Sequence, residues 1–587
     1  MRKGALCGWL ALLVLALGGC ARMADAAPRC TVVIEEHAQV RLRSQVWDVE
    51  RGSDLVLTLS VPEDMRVSDV IYDRYELSPR LGVRNGYADY RLTLRCVRYP
   101  SLVRLTLAPL RQTVYHTQEG SVTVTEESQR LRINTLPWSE GWQRPGFLAV
   151  GWNTEEDGSG EAIGFGSRYD PGGRSSTGLY VHWLPCTPES AFTVREEGGG
   201  AVIEGCDAQG DLVIPQTLAG LPVRAIAAGA FGDVRADTVA FPPTLERVEE
   251  NAFASLEAER LYLFDTLEDV SDASFGALSV AHLHIAAARA PVYCGSYFDT
   301  LSEKIDYLYT LRDERKLLLL CGSSARFGYV SGMLEAAFPA YRVVNLGVYA
   351  YANMLPQARL ALLYACRGDV LLSSPELDAI PEQFCGLDSL GADTFKMMES
   401  NYDMLSLLDL RAFSHVMDDF AAYQRARRGM SARSYLDVPA RYTEEGEASP
   451  EPAYNRSGDY ILHRENNVER RLFGVKRASY AAAAISPGDW EAINRVYDAF
   501  AEKGVKVCFT FSPRSSRSVT PSSTPEAVAE LDRQVRQRLH AAVISRAEDS
   551  LMDAYYFYGT DNHLSSEGAE LFTRRVIEEL RSVLEGL

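Results

Sequence analysis

Several things are scarce in this chain, and each scarcity removes a class of function. It holds no Cys-x-x-Cys pair and no His-Glu-x-x-His, so no structural or catalytic zinc is indicated and no metal is expected. Basic residues are outnumbered 60 to 79, and the net charge of −19 argues against nucleic acid as a partner. Binding phosphates along a duplex needs a basic face. Eleven cysteines in 587 residues are too sparse for a disulfide scaffold. Cys30 with Cys96 and Cys186 with Cys206 could pair in an oxidising compartment, and spacing alone does not fix the connectivity. Beyond the first 20 residues there is no run of about 18 apolar residues, so nothing further is expected to span a bilayer. What is present, 46% hydrophobic and 24% charged residues, is ordinary globular material for three or four domains.

The first 20 residues read as an export signal: Arg2 and Lys3, an apolar stretch from Leu10 to Leu17, then small residues. Leu17-Gly18-Gly19-Cys20 resembles the bacterial lipobox. The resemblance implies that Cys20 is acylated after cleavage and that membrane lipid is a partner, tethering an extracytoplasmic protein without spanning the bilayer. The alternative is plain secretion, with cleavage after Ala24-Asp25-Ala26.

Residues 28–125 alternate apolar and polar, as in Asp54 to Val61 and Tyr90 to Arg95, which predicts a small antiparallel β module. Residues 126–190 carry Gly146 to Thr154, the turn Asp157-Gly158-Ser159-Gly160, and Leu179-Tyr180-Val181-His182-Trp183. This pattern resembles the internalin-type β-grasp repeat of bacterial surface proteins. Trp152 and Trp183 are the large apolar groups that would give so small a sheet a core, with a sugar-stacking platform as the rival role. Across 202–290, Phe231, Phe253 and Phe275 recur every 22 residues, and Val239, Leu261 and Leu283 keep the same interval. A period in the low twenties marks a leucine-rich solenoid. The sequence resembles the BspA-type variety, which implies a spacer or a face for a protein ligand.

From 300 to 587, apolar strands (Lys316 to Cys321, Tyr341 to Leu346, Asp369 to Ser373, Val505 to Phe511) alternate with helical stretches Met354–Cys366, Asp489–Lys503 and Thr524–Ala547. That alternation predicts a parallel sheet covered on both faces. The acidic run 444–451 reads as a surface insertion, and Ser512 to Ser523 as a loop bordering a site at the strands' carboxyl ends. Asn455 to Tyr460 reads as a tight turn that could shape a lid, and His415 and His463 as surface residues.

Two stretches carry chemistry. Gly322-Ser323-Ser324 follows the first strand, where a serine hydroxyl can point outward and backbone amides can hold an oxyanion. Asp561-Asn562-His563-Leu564-Ser565 precedes the last helix, and Asn345 and Gly347 close the second strand. In this order the pieces resemble the SGNH/GDSL hydrolase superfamily. The resemblance implies Ser324 as nucleophile, His563 as general base, Asp561 as the group orienting the imidazole, and the amides of Ser324 and Gly347 as oxyanion donors. Two departures stand out. The usual acid position, three before the histidine, is Thr560, and the third strand is followed by Glu376 where the family has an asparagine. For Asp561 a helix N-cap is an equal competitor.

The fold class expected is therefore multidomain: N-terminal β modules, a short leucine-rich-repeat solenoid, and a C-terminal α/β domain with an SGNH-like, flavodoxin-like parallel sheet. The resemblances imply a surface-anchored serine esterase or O-acyltransferase, without cofactor, acting on acyl esters of cell-envelope carbohydrate. The rival is an inactive adhesion or scaffold protein, and a third option is a carbohydrate-binding protein using the old cleft.

Overall fold

The computed structural model turns the alternating run at 54–61 into the strand Leu55–Pro62, with Leu55, Leu57, Leu59 and Val61 buried. The residues described are 28–126, 132–172, 174–294, 296–349, 352–385, 389–432, 453–474 and 477–584. Cys20 with the export segment and the acidic run 444–451 lie outside them. No helix among the described residues is long and apolar enough to cross a membrane. The chain is multidomain, with β modules first and parallel sheets with helices later.

Leu55–Pro62 pairs with Tyr87–Leu94, and a second sheet runs Val46–Glu50, Arg29–Ile34, Ser101–Pro109, Met65–Ile71. The two sheets share one core. The module is not wholly antiparallel, because Arg29–Ile34 runs parallel to Ser101–Pro109. A five-stranded sheet follows, ordered Gly120–Glu126, Arg111–Thr117, Ser176–Pro185, Phe147–Asn153, Ala162–Ile163. Its first two strands both start before the expected boundary at 126. Only Leu110 separates Ser101–Pro109 from Arg111–Thr117, so no linker composition marks the change of sheet. Trp152 is the centre of this unit, fully buried, with Tyr115 and Trp142 edge-on at 4.8 Å and its indole N–H donated to the Leu136 carbonyl at 2.9 Å. Trp183 packs at the margin of the same cluster.

The 22-residue interval reappears as strand register. Phe231–Ala240, Phe253–Phe264 and Leu278–Ala286 form a parallel ladder in which Phe231 faces Phe253 and Val239 faces Leu261, which faces Leu283. The Phe231 and Phe253 rings stack at 4.5 Å, and Phe253 and Phe275 at 5.2 Å. Each unit thus buries its apolar face on the next. The ladder's last strand is covered where His282 Nδ1 meets the Ser406 carbonyl at 2.8 Å, and just beyond the middle strand Asp265 pairs with Arg427 of the helix Val416–Arg427 at 3.0 Å.

The C-terminal sheet has five parallel strands: β1 (Lys316–Leu320), β2 (Arg342–Asn345), β3 (Val370–Ser373), β4 (Lys506–Phe509) and β5 (Ala542–Val543). Their spatial order is β2-β1-β3-β4-β5. In β1, Leu318 and Leu320 join the core on one face, and Leu317 and Leu319 the core against the helix Ser566–Leu584. Burial on both faces is why this strand reads as an unbroken apolar run. The helix expected to reach Ala547 ends at Arg538, because the extended residue Leu539 turns the chain back to lay β5 beside β4. In such an open sheet the order reverses between β1 and β3, and ligands bind outside the carboxyl ends there.

Candidate functional site

The carboxyl end of β1 runs into Cys321-Gly322 and the short helix Ser323–Gly328. Adjacent residues on a helix point about 100° apart, so only one of the two serines can face a given partner. The structure brings Ser323 to His563: Oγ and Nε2 are 2.9 Å apart. Ser324, the residue expected to be the nucleophile, instead accepts a hydrogen bond from Asn562 Nδ2 at 3.2 Å.

Glu376 sets this rotation. It lies just beyond β3, and its carboxylate accepts the amide N–H of Ser324 at 2.8 Å and of Gly322 at 3.1 Å. Gln383 donates to the same carboxylate at 2.5 Å. Pinning the amides on either side of Ser323 fixes which way its hydroxyl points. It also occupies the Ser324 amide, one of the two expected oxyanion donors. The other, the Gly347 amide, donates to Asn345 Oδ1 at 3.0 Å. Gly347 has a packing role instead. A Cβ there would sit 2.8 Å from the Gly322 carbonyl oxygen and 2.9 Å from Ala325 Cβ, so only glycine lets β2 approach the serine turn this closely. Beneath the turn, burial pushes the Cys321 thiol well above its ordinary value, with Glu376 adding to the effect, so a thiolate nucleophile is disfavoured.

The histidine comes from a chain reversal. Tyr558 N–H donates to the His563 carbonyl at 2.8 Å, and Phe557 bridges Leu564. Thr560 organises the turn: its hydroxyl accepts the His563 amide at 3.0 Å and donates to Asn562 Oδ1 at 2.7 Å. That second bond aims Asn562 Nδ2 at the Ser324 hydroxyl. The imidazole stacks on Phe327, ring centres 4.0 Å apart. Asp561 is buried, but its carboxylate accepts the amides of Phe473 at 3.3 Å and Gly474 at 3.0 Å rather than the imidazole. Its own carbonyl accepts the Ser515 amide at 2.9 Å, so the Ser512–Ser523 loop borders the site as expected. Asp561 thus ties two loops to the histidine turn. Ser323 and His563 are only 5% and 6% exposed, so the approach to the hydroxyl is narrow.

Asn455 to Tyr460 forms a tight turn, closed by the Asn455 amide on the Asp459 carbonyl, and it clamps neighbouring elements together. Asp459 accepts from Ser331 and from Asn345 Nδ2, while Arg456 reaches across to Asp69 at 2.6 Å and Asn455 to Asp73 at 2.6 Å. Lys304 donates to the carbonyls of Asn345 and Gly458 at 2.6 and 2.8 Å, and burial lowers its pKa far below that of a free lysine. Among the described residues, Asp272, His415 and Asp418 bring potential metal-ligand atoms within 4.8 Å of one another. Asp272 and Asp418 there accept each other's backbone amides.

Sequence reasoning expected Ser324 to face His563; the structure sets Ser323 against the ring and Asn562, which was not singled out, against Ser324. A polar amide beside the histidine was the available signal. Comparison with protein-family models finds no match for the chain, and no curated protein is similar to it.

Proposed function

We propose that residues 300–587 form an SGNH-type serine esterase or O-acyltransferase, with Ser323 as nucleophile and His563 as general base. The observation that carries this reading is the 2.9 Å contact between Ser323 Oγ and His563 Nε2 beside the carboxyl end of β1. His563 accepts the Ser323 proton as Oγ attacks an ester carbonyl carbon. The tetrahedral oxyanion is met by Asn562 Nδ2 and the Ser323 amide. Collapse expels the alcohol, which takes the proton from His563. Water then cleaves the acyl-serine in a hydrolase, or a sugar hydroxyl takes the acyl group in a transferase.

The β-grasp-like and leucine-rich-type units would carry this domain outward from a membrane anchored through acylated Cys20, with cell-envelope glycan esters as substrates. Mass spectrometry of the mature N-terminus tests the anchor. A diacylated Cys20 is expected, and a free amine beginning near Ala27 would replace anchoring with secretion.

A second reading, an inactive scaffold, has its own support. The Glu376 carboxylate lies on two amides beside the serine, where negative charge opposes a developing oxyanion. Labelling with an aryl fluorophosphonate separates the two. An active site gives a covalent adduct on the Ser323 peptide that disappears in His563→Ala, whereas an unmodified Ser323 assigns the domain to scaffolding.

A further inference from the structure

A cleft of about 70 Å³ lies between the N-terminal sandwich and the segment 459–464, with room for a small anion and a few waters. Its walls carry more effective positive charge than a chain of net charge −19 would suggest. Arg98 is the central group. Among the described residues its guanidinium meets only His463 Nδ1, 3.4 Å from both Nη atoms, and no carboxylate. Arg74 and Arg464 also line the cleft, and Arg464 donates to the carbonyls of Leu564, Tyr460 and Phe327. Burial, with Arg98 next and then Arg464 and Arg74, holds His463 below the usual imidazole value against the opposing charge of Glu465. A guanidinium only donates, so Nδ1 is the accepting nitrogen of this contact.

The acidic groups lining the cleft are already committed. Asp459 accepts from Ser331, Asn345 and Asn455. Glu570 is paired with Arg51 at 2.9 Å and Arg574 at 3.1 Å. Burial, reinforced by Asp459, pushes Asp73 up to about 7, which leaves it largely uncharged in mild acid. Of the other cations, Arg95 is taken up by Asp54 and Glu76.

We propose that this cleft binds a small oxyanion, a phosphate or sulfate group, with Arg98 as its principal ligand and Arg74 and Arg464 supplying further positive field. This goes beyond the esterase reading and does not depend on it, since none of these groups touches Ser323 or His563.

Calorimetric titration of the full mature chain at low ionic strength, with inorganic phosphate, sulfate and glucose 6-phosphate as probes, tests it. One site is expected, weakened about tenfold or more in Arg98→Ala and retained within a few-fold in Arg98→Lys, since a charge-assisted contact is lost in the first only. If Arg98→Ala fails to fold, Arg98→Gln with circular dichroism replaces it. Equal affinity for inorganic and sugar phosphate assigns the site to a free ion, and tighter binding of the sugar phosphate assigns it to an anionic glycan. No binding of any probe, or binding unchanged in the Arg98 variants, overturns the proposal.

Discussion

Ser323→Ala is expected to lower hydrolysis of a chromogenic acetate ester by about 10³-fold or more, the scale of losing a nucleophile. Ser324→Ala is expected to cost about tenfold at most, through the lost contact with Asn562. The asymmetry follows from geometry: His563 Nε2 lies at hydrogen-bond distance from Ser323 Oγ, while the Ser324 hydroxyl is engaged by Asn562. His563→Ala should match Ser323→Ala, and the double variant should be no worse than either, because the two act as a unit. Steady-state rates for the wild type and the four variants decide the matter. A large loss in Ser324→Ala beside an active Ser323→Ala would return the nucleophile to position 324.

The second large effect concerns stability. Glu335→Ala should destabilise the fold by about 3–5 kcal/mol, because it leaves Arg104 buried without its counter-ion. The side chains of Arg104 and Glu335 are 6% and 3% exposed and lie 2.6 Å apart. Arg104 also donates to Tyr307 Oη at 2.9 Å, and Glu335 accepts the Val343 amide at 2.8 Å. One pair therefore joins a strand of the N-terminal sandwich to two helices and to β2. Replacing both partners, Arg104→Met with Glu335→Leu, should recover much of the loss, since apolar groups of similar volume need no counter-ion. Denaturant midpoints measure both, and a Glu335→Ala midpoint equal to wild type would contradict the pair's assigned weight.

What could be read from sequence was whatever repeats or alternates. The 22-residue interval is strand register, because parallel neighbours must place equivalent residues side by side. The leucine run of β1 is a strand buried on both faces. What could not be read depends on partners distant in the chain. The rotation that chooses Ser323 over Ser324 is set by Glu376, 52 residues away from Ser324. Asp561 went to the amides of Phe473 and Gly474 because tertiary packing brought that loop nearer its carboxylate. The change of sheet at Leu110 has no turn composition to announce it, and the helix end at Arg538 lies inside an amphipathic stretch that continues in sequence.

The seam between the repeat ladder and the segment from Asp403 to Arg427 bears on how the molecule comes apart. Cutting the polypeptide near residue 290 would strip Asp265 of Arg427 and bare the ladder's final rung to water and to other copies. Beads in the primary structure are thus one cooperative unit in heat or denaturant, and limited proteolysis should release no folded repeat fragment.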